Sequence, residues 1–155
     1  METYEINEET LALMAQEDGS TIVHEYEKDF VIDNKATSIM EDSCEYFGST
    51  LDGRQKGTTN LTGITHKVPI IVEESRNIIF FPTSSPRIGN CCWISLNNIA
   101  KYYHENKKTI IVFKDGSKIK LDISFGIIDN QILRATRLES VLNDRKNIKN
   151  VKKVK

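Results

Sequence analysis

No apolar run in these 155 residues approaches the roughly 18 that a membrane-spanning helix needs. The stretches Ile70-Ile71-Val72 and Ile78-Ile79-Phe80-Phe81 are interrupted by polar residues or proline almost at once. The amino end, Met1-Glu2-Thr3-Tyr4-Glu5, has neither the basic region nor the apolar core of a secretory signal, so a cytoplasmic protein with no membrane partner is expected. Cysteine is scarce. Cys44, Cys91 and Cys92 form neither an even set nor a Cys-x-x-Cys pair, which argues against a disulfide framework or a redox motif and for three reduced thiols. A metal site is disfavoured too, because neighbouring cysteines rarely serve one tetrahedral ion.

Charge is plentiful, at 28% of residues, and a 39% hydrophobic content suits an ordinary globular chain. At this length one domain is expected, burying ~70% of the surface its unfolded chain exposes. The net charge of -1 conceals a division. Residues 1–45 hold thirteen acidic side chains against Lys28 and Lys35, whereas residues 46–155 hold nineteen basic against nine acidic ones. A basic majority over most of the chain suggests a polyanion partner. Mutual neutralisation of the two segments is the open alternative.

Periodicity places the elements. Thr21-Ile22-Val23 and Phe30-Val31-Ile32 read as a first hairpin, with Glu25 and Glu27 on a solvated face. Ser38-x-x-Glu41 has the spacing of a capping box, Met40, Cys44 and Phe47 form a helical stripe, and Gly48 stands at a helix end. A second helix from Ser49 would be only a turn or two long, ended by Gly57. Residues 68–82 read as strand, turn and strand, with Pro69 and Pro82 confined to edges or ends. In "TIIVFKDGSKIKLDI", Asp115-Gly116 predicts a two-residue turn. That turn pairs Val112 with Ile119 and Ile110 with Leu121, and leaves Ile111 and Phe113 on one face with Lys118 and Lys120. Ile128, Ile132, Ala135, Leu138 and Leu142 predict an amphipathic helix over 125–144. Residues 145–155 read as a mobile basic tail beyond a domain spanning 1–144. The fold class is therefore α+β: an antiparallel sheet or partial barrel, a helical insertion near 37–57, and a C-terminal helix packed on the sheet.

Motifs for chemistry are absent. Gly48-x-x-x-x-Gly53-Arg54 has the outer frame of a Walker A loop, but Arg54 replaces its lysine and Gln55 its metal-binding hydroxyl. No nucleophile elbow occurs, and His24, His66 and His104 lack the spacing of a catalytic pair. No catalytic residue, cofactor or metal is assigned, and the protein is not expected to be an enzyme. Nucleic-acid binding asks only for cations that reach phosphates and side chains that enter a groove. Arg54, Lys56, Lys67, Arg87, Lys118 and Lys120 on predicted loops and hairpins are the candidates. A helix-turn-helix with "GRQKG" on its second helix is disfavoured, because Leu51 would be its sole anchor and Gly53 would weaken it.

One set of motifs goes further than composition. "CEYFGSTLDGRQKGTTNLTGITHKVPIIV", then "IIFFPTSSP" and "CCWISLNNI", with Asn130-Gln131 and Arg134-Ala135 later, resembles the ComK family of competence transcription factors over about residues 40–140. The resemblance implies a DNA-binding activator of DNA-uptake genes that recognises A/T-rich double-stranded DNA, chiefly through the minor groove, as a homo-oligomer. RNA polymerase and a proteolytic adaptor are implied as further partners. Arg54 and Lys67 match the family pattern; Lys56 and Arg87 rest on charge and neighbourhood. Family members often carry a longer carboxyl segment than the "NVKKVK" found here. The alternative from the residues alone is a pleckstrin-homology-like module, with Lys118 and Lys120 facing anionic lipid headgroups.

Overall fold

The computed structural model describes the backbone of residues 2–154 and the side chains of residues 2–148. Strands β1 (Thr10–Ala15), β2 (Thr21–Glu25) and β3 (Lys28–Ile32) precede helices α1 (Ala36–Tyr46) and α2 (Leu51–Thr62). Then follow β4 (Ile70–Glu73), β5 (Ile78–Pro82), β6 (Trp93–Ser95), β7 (Ile99–Glu105), β8 (Lys108–Phe113), β9 (Lys118–Leu121) and the long helix α3 (Phe125–Val154). The first six strands form one antiparallel sheet in the order β3-β2-β1-β6-β5-β4, and β7-β8-β9 form a second.

Alternation along the central strands explains the layers. Leu13, Val72, Phe80 and Trp93 point to one face, where they pack with Ile39, Met40 and Cys44 of α1. Their neighbours Ala12, Ile71, Ile79, Phe81 and Ile94 point to the other. There they meet Ile111 and Phe113 of β8 and Ile128, Ala135 and Leu138 of α3. A sheet covered on both sides needs such continuous apolar runs rather than polar alternation. The fold is α+β with α3 on the sheet, and no closed barrel forms among the described residues. A pleckstrin-homology-like barrel is thereby excluded, since β7–β9 make a separate sheet instead of closing the first.

The β8–β9 hairpin departs from its predicted register. Phe113 N donates to Ser117 O at 2.8 Å and Gly116 N to Phe113 O at 2.9 Å, so three residues, not two, form the loop. Gly116 adopts φ +87°, the left-handed position of a three-residue loop. Ser117 N and Oγ both donate to Asp115 Oδ1, fixing this geometry. Ile111 therefore faces Ile119 and Thr109 faces Leu121. The slip gathers Ile111, Phe113, Ile119 and Leu121 on the face that meets the first sheet and α3. It puts Lys118 and Lys120 on the opposite face with Ile110 and Val112, where the lysines are exposed and the two apolar side chains are still buried.

Other expectations also shift. Helix α1 starts after Lys35 with no side-chain cap, so Ser38 lies inside it and makes no capping box. Gly48 does take the left-handed conformation at its end (φ +86°), and the Met40-Cys44 stripe is buried. Helix α3 continues to Val154, past the predicted end at 144, and the side chains from 149 onward lie outside the described residues. Glu25 is buried rather than solvated and accepts a hydrogen bond from the Tyr4 hydroxyl; burial first, and this hydrogen bond second, push the Tyr4 pKa upward.

The second helix is longer than glycine content suggests. Thr50 caps it, its Oγ1 accepting from Gly53 N at 2.9 Å, and Gly63 ends it at φ +80°. Gly57 lies in its interior. A methyl at Gly53 would sit 3.0 Å from Thr50 Oγ1 and 3.3 Å from Ser49 Oγ, whereas nothing lies within 4 Å of one at Gly57. Gly57→Ala is expected to stabilise the fold by about 0.5–1 kcal/mol, through helix propensity alone. Gly53→Ala is expected to lose that gain by disturbing the cap, which contributes about 1 kcal/mol. Urea midpoints of the two variants that move together would refute the cap argument.

All three cysteines are free and buried. Burial pushes the Cys44 thiol up to about 11 and raises Cys91 and Cys92 as well. A thiol reagent at pH 8 is thus expected to label the native protein slowly and all three sites once it unfolds. Between pH 9 and 11 the unfolded thiol ionises while folded Cys44 keeps its proton, so stability falls as pH rises through that window. Rapid native labelling would show the burial to be incomplete.

Candidate functional site

An open groove of about 660 Å³ lies where α1, α2 and two loops meet. Thr37 and Glu41 of α1 form part of its wall, Gln55, Lys56, Thr59 and Asn60 of α2 another, and residues 65–68 and 85–87 the remainder. Three of the six predicted cations, Lys56, Lys67 and Arg87, line it together, although they come from separate segments of the chain. Glu41 is the lone carboxylate among the described lining residues, so their charge is net positive.

Each cation is presented differently. Lys56 extends from α2 and pairs with Asp52 at 3.1 Å, but both groups are exposed, so the pair holds it weakly. Arg87 stands exposed in the loop between β5 and β6. That loop is closed at its neck by Thr83 N donating to Cys92 O at 2.9 Å and Cys92 N to Thr83 Oγ1 at 3.1 Å. Lys67 is half-buried and takes φ +46°, a left-handed conformation that lysine adopts only under local constraint.

The constraint is visible on both sides of the 63–69 loop. From α2, Thr58 Oγ1 donates to Pro69 O at 2.6 Å and Thr59 Oγ1 to Ile64 O at 2.7 Å. From α3, Gln131 Nε2 donates to Lys67 O at 3.0 Å and to Pro82 O at 2.8 Å. Arg134 donates to His66 O and to Gln131 Oε1. Sequence reasoning assigns none of these four side chains a role. A signal was present for Gln131: it lies three residues from Ile128 on the apolar stripe of α3, and it is fully buried. A polar residue at such a position needs internal hydrogen bonds.

The other predicted cations lie elsewhere. Arg54 sits two residues from Lys56, hence on the opposite side of α2, and is half-buried beside a smaller cavity of about 190 Å³ that Arg145 and Glu74 also line. Its Nε is buried without a hydrogen-bond partner among the described residues. Lys118 and Lys120 are exposed on the outer face of β9, within the layer opposite α1, and Lys120 approaches Glu105 at 3.9 Å. Among the described residues, no cluster of three histidine, cysteine or carboxylate side chains could hold a metal ion. No helix there is long and apolar enough to cross a membrane.

The pattern of the family described as "ComK protein" matches residues 1–147. This chain belongs to the ComK family. It is 36% identical over 149 residues to a protein of Bacillus subtilis (strain 168) named "Competence transcription factor", a match covering 94% of this chain and 78% of that relative. No solved structure matches. Some ComK motifs of the sequence fall on the groove and its supports, with Thr58 on α2, His66-Lys67 and Pro69 on the loop, and Gln131 and Arg134 beneath it; others do not, since Gly53-Arg54 lies across α2 and Cys44 and Trp93 lie in the core.

Proposed function

We propose that this protein is a DNA-binding transcriptional activator of competence genes, a binding protein rather than an enzyme, and that the groove is its DNA interface. Membership of the ComK family and the name of the Bacillus relative support the biological role. The observation that carries the molecular reading is the convergence of Lys56, Lys67 and Arg87 on one open, net-positive surface. Cations on loops beside a helix suit the phosphate backbone and the narrow, strongly negative minor groove of A/T-rich DNA, whose shape can be read without a recognition helix. Lys67 and Arg87 are assigned to the groove and its flanking phosphates, and Lys56 to the backbone. Self-association on paired A/T-rich boxes completes the proposal.

Titration of an A/T-rich duplex and a G/C-rich duplex of equal length, with a minor-groove ligand as competitor, tests this reading. Preference for the A/T-rich duplex, steep weakening with salt and displacement by the competitor are expected. Equal affinity for the two duplexes would overturn the promoter-recognition proposal.

A further inference from the structure

We infer that Gln131 and Arg134 of α3 are positioning residues, which hold the His66-Lys67 loop in its DNA-competent conformation without touching DNA themselves. The inference rests on the DNA-binding reading of the groove. Gln131 is fully buried, yet its amide nitrogen donates to two backbone carbonyls, Lys67 O in the loop at 3.0 Å and Pro82 O at the end of β5 at 2.8 Å. Its own oxygen accepts from Arg134, and Arg134 in turn reaches His66 O. One connected network thus fastens consecutive carbonyls, those of residues 66 and 67, to a rigid helix.

The loop needs such fastening. Lys67 occupies φ +46°, a region in which a non-glycine residue is held by its surroundings. Thr58, donating to Pro69 O at 2.6 Å, secures the far end to α2 but, among the described residues, leaves residues 66 and 67 without a partner from that side. Gln131 also ties Pro82, the last residue of β5, from which the Arg87 loop departs. Both cation-bearing loops are therefore registered against the same side chain. A loop that samples other conformations binds with an affinity reduced by the fraction of time it is competent, so loosening the clamp weakens binding even though every cation is retained.

The test uses the full chain and two variants, Arg134→Met, which keeps the stem of a half-buried side chain, and Gln131→Met, with Arg134→Lys as the conservative control. Amide hydrogen exchange at residues 65–68, affinity for an A/T-rich duplex and its salt dependence are measured together with thermal unfolding. Arg134→Met is expected to accelerate exchange at residues 65–68 relative to α1 and the central strands, and to weaken binding about tenfold, as when the competent population drops to about one-tenth. The slope of log affinity against log salt stays that of the parent protein, and Arg134→Lys recovers part of both effects. A slope lowered by about one would make Arg134 a phosphate ligand and overturn the inference. So would unchanged exchange at the loop in both methionine variants. If exchange responds but the parent protein binds no duplex, the DNA-binding reading fails and takes the functional half of this inference with it, while the clamp itself stands.

Discussion

Replacing Lys56, Lys67 and Arg87 together by alanine is expected to weaken binding to an A/T-rich duplex by about 100-fold or more at moderate salt. Each phosphate neutralised contributes ~0.9 to the slope of log affinity against log salt, so the slope should fall by up to about 2.7. The three side chains line one groove, and no ion pair stronger than the exposed Lys56–Asp52 contact holds any of them among the described residues. Removing them should therefore change stability by no more than about 0.5 kcal/mol each. Thermal unfolding monitored beside the binding titration separates lost contacts from lost fold. The comparison variant, Lys118→Ala with Lys120→Ala, alters the outer face of the second sheet and should leave most of the affinity intact. A larger loss in that double variant than in the triple one would move the interface to the β7–β9 face. Arg54→Ala is the informative third arm, because Arg54 lies across α2 from the groove. If it abolishes binding without unfolding the protein, DNA contacts α2 from two sides.

The largest loss of stability is expected from Trp93→Ala, at about 3–5 kcal/mol. Trp93 is fully buried in β6, a strand of only three residues that joins the β1 and β5 halves of the six-stranded sheet. It stands opposite Leu13 on one side and Pro82 on the other. Its indole Nε1 donates to Thr37 Oγ1 at 3.2 Å, linking the sheet to the first turn of α1. Alanine would leave a cavity against Leu13, Phe80 and Met40 and strip Thr37 of its partner. Against a typical total of about 5–15 kcal/mol, such a loss takes a large share of the fold. Trp93→Phe keeps an aromatic ring but not the donor and is expected to cost about 1–2 kcal/mol. Trp93 is the sole tryptophan, so circular dichroism rather than fluorescence should follow the urea transition. Because Thr37 also lines the groove, a partly folded Trp93→Ala protein should lose DNA binding too. A midpoint for Trp93→Ala equal to that of the parent would contradict the placement of β6 at the centre of the sheet.

Much of this molecule is local in origin, and what is local was legible. Strands β2 to β5, the Met40-Cys44 stripe, the left-handed Gly48 and the core face of α3 follow from periodicity and turn chemistry within short windows. The errors arose where a second level of structure overruled a short motif. Gly57 read as a helix end, but the Thr50 cap, the Gly63 terminus and the hydrogen bonds of Thr58 and Thr59 sustain α2 through it. Asp115-Gly116 read as a two-residue turn, but burying Ile111, Phe113, Ile119 and Leu121 together demands the three-residue loop. Glu25 read as solvated because its partner, Tyr4, is 21 residues away.

The sequence alone determined the basic bias after residue 45, the scarcity of reactive motifs, the α+β class and the motifs that mark the family. Those properties are sums or short-range patterns, and each survives without knowing which segments meet. Tertiary structure decided which cations share a surface. Lys56, Lys67 and Arg87 become neighbours because α2, the loop before β4 and the loop between β5 and β6 meet beside α1, while Arg54, two residues from Lys56, turns away with the 3.6-residue period of the helix. Gln131 acquires its role only when α3 crosses beneath the loops, since a hydrogen bond spanning 64 residues leaves no trace in local spacing.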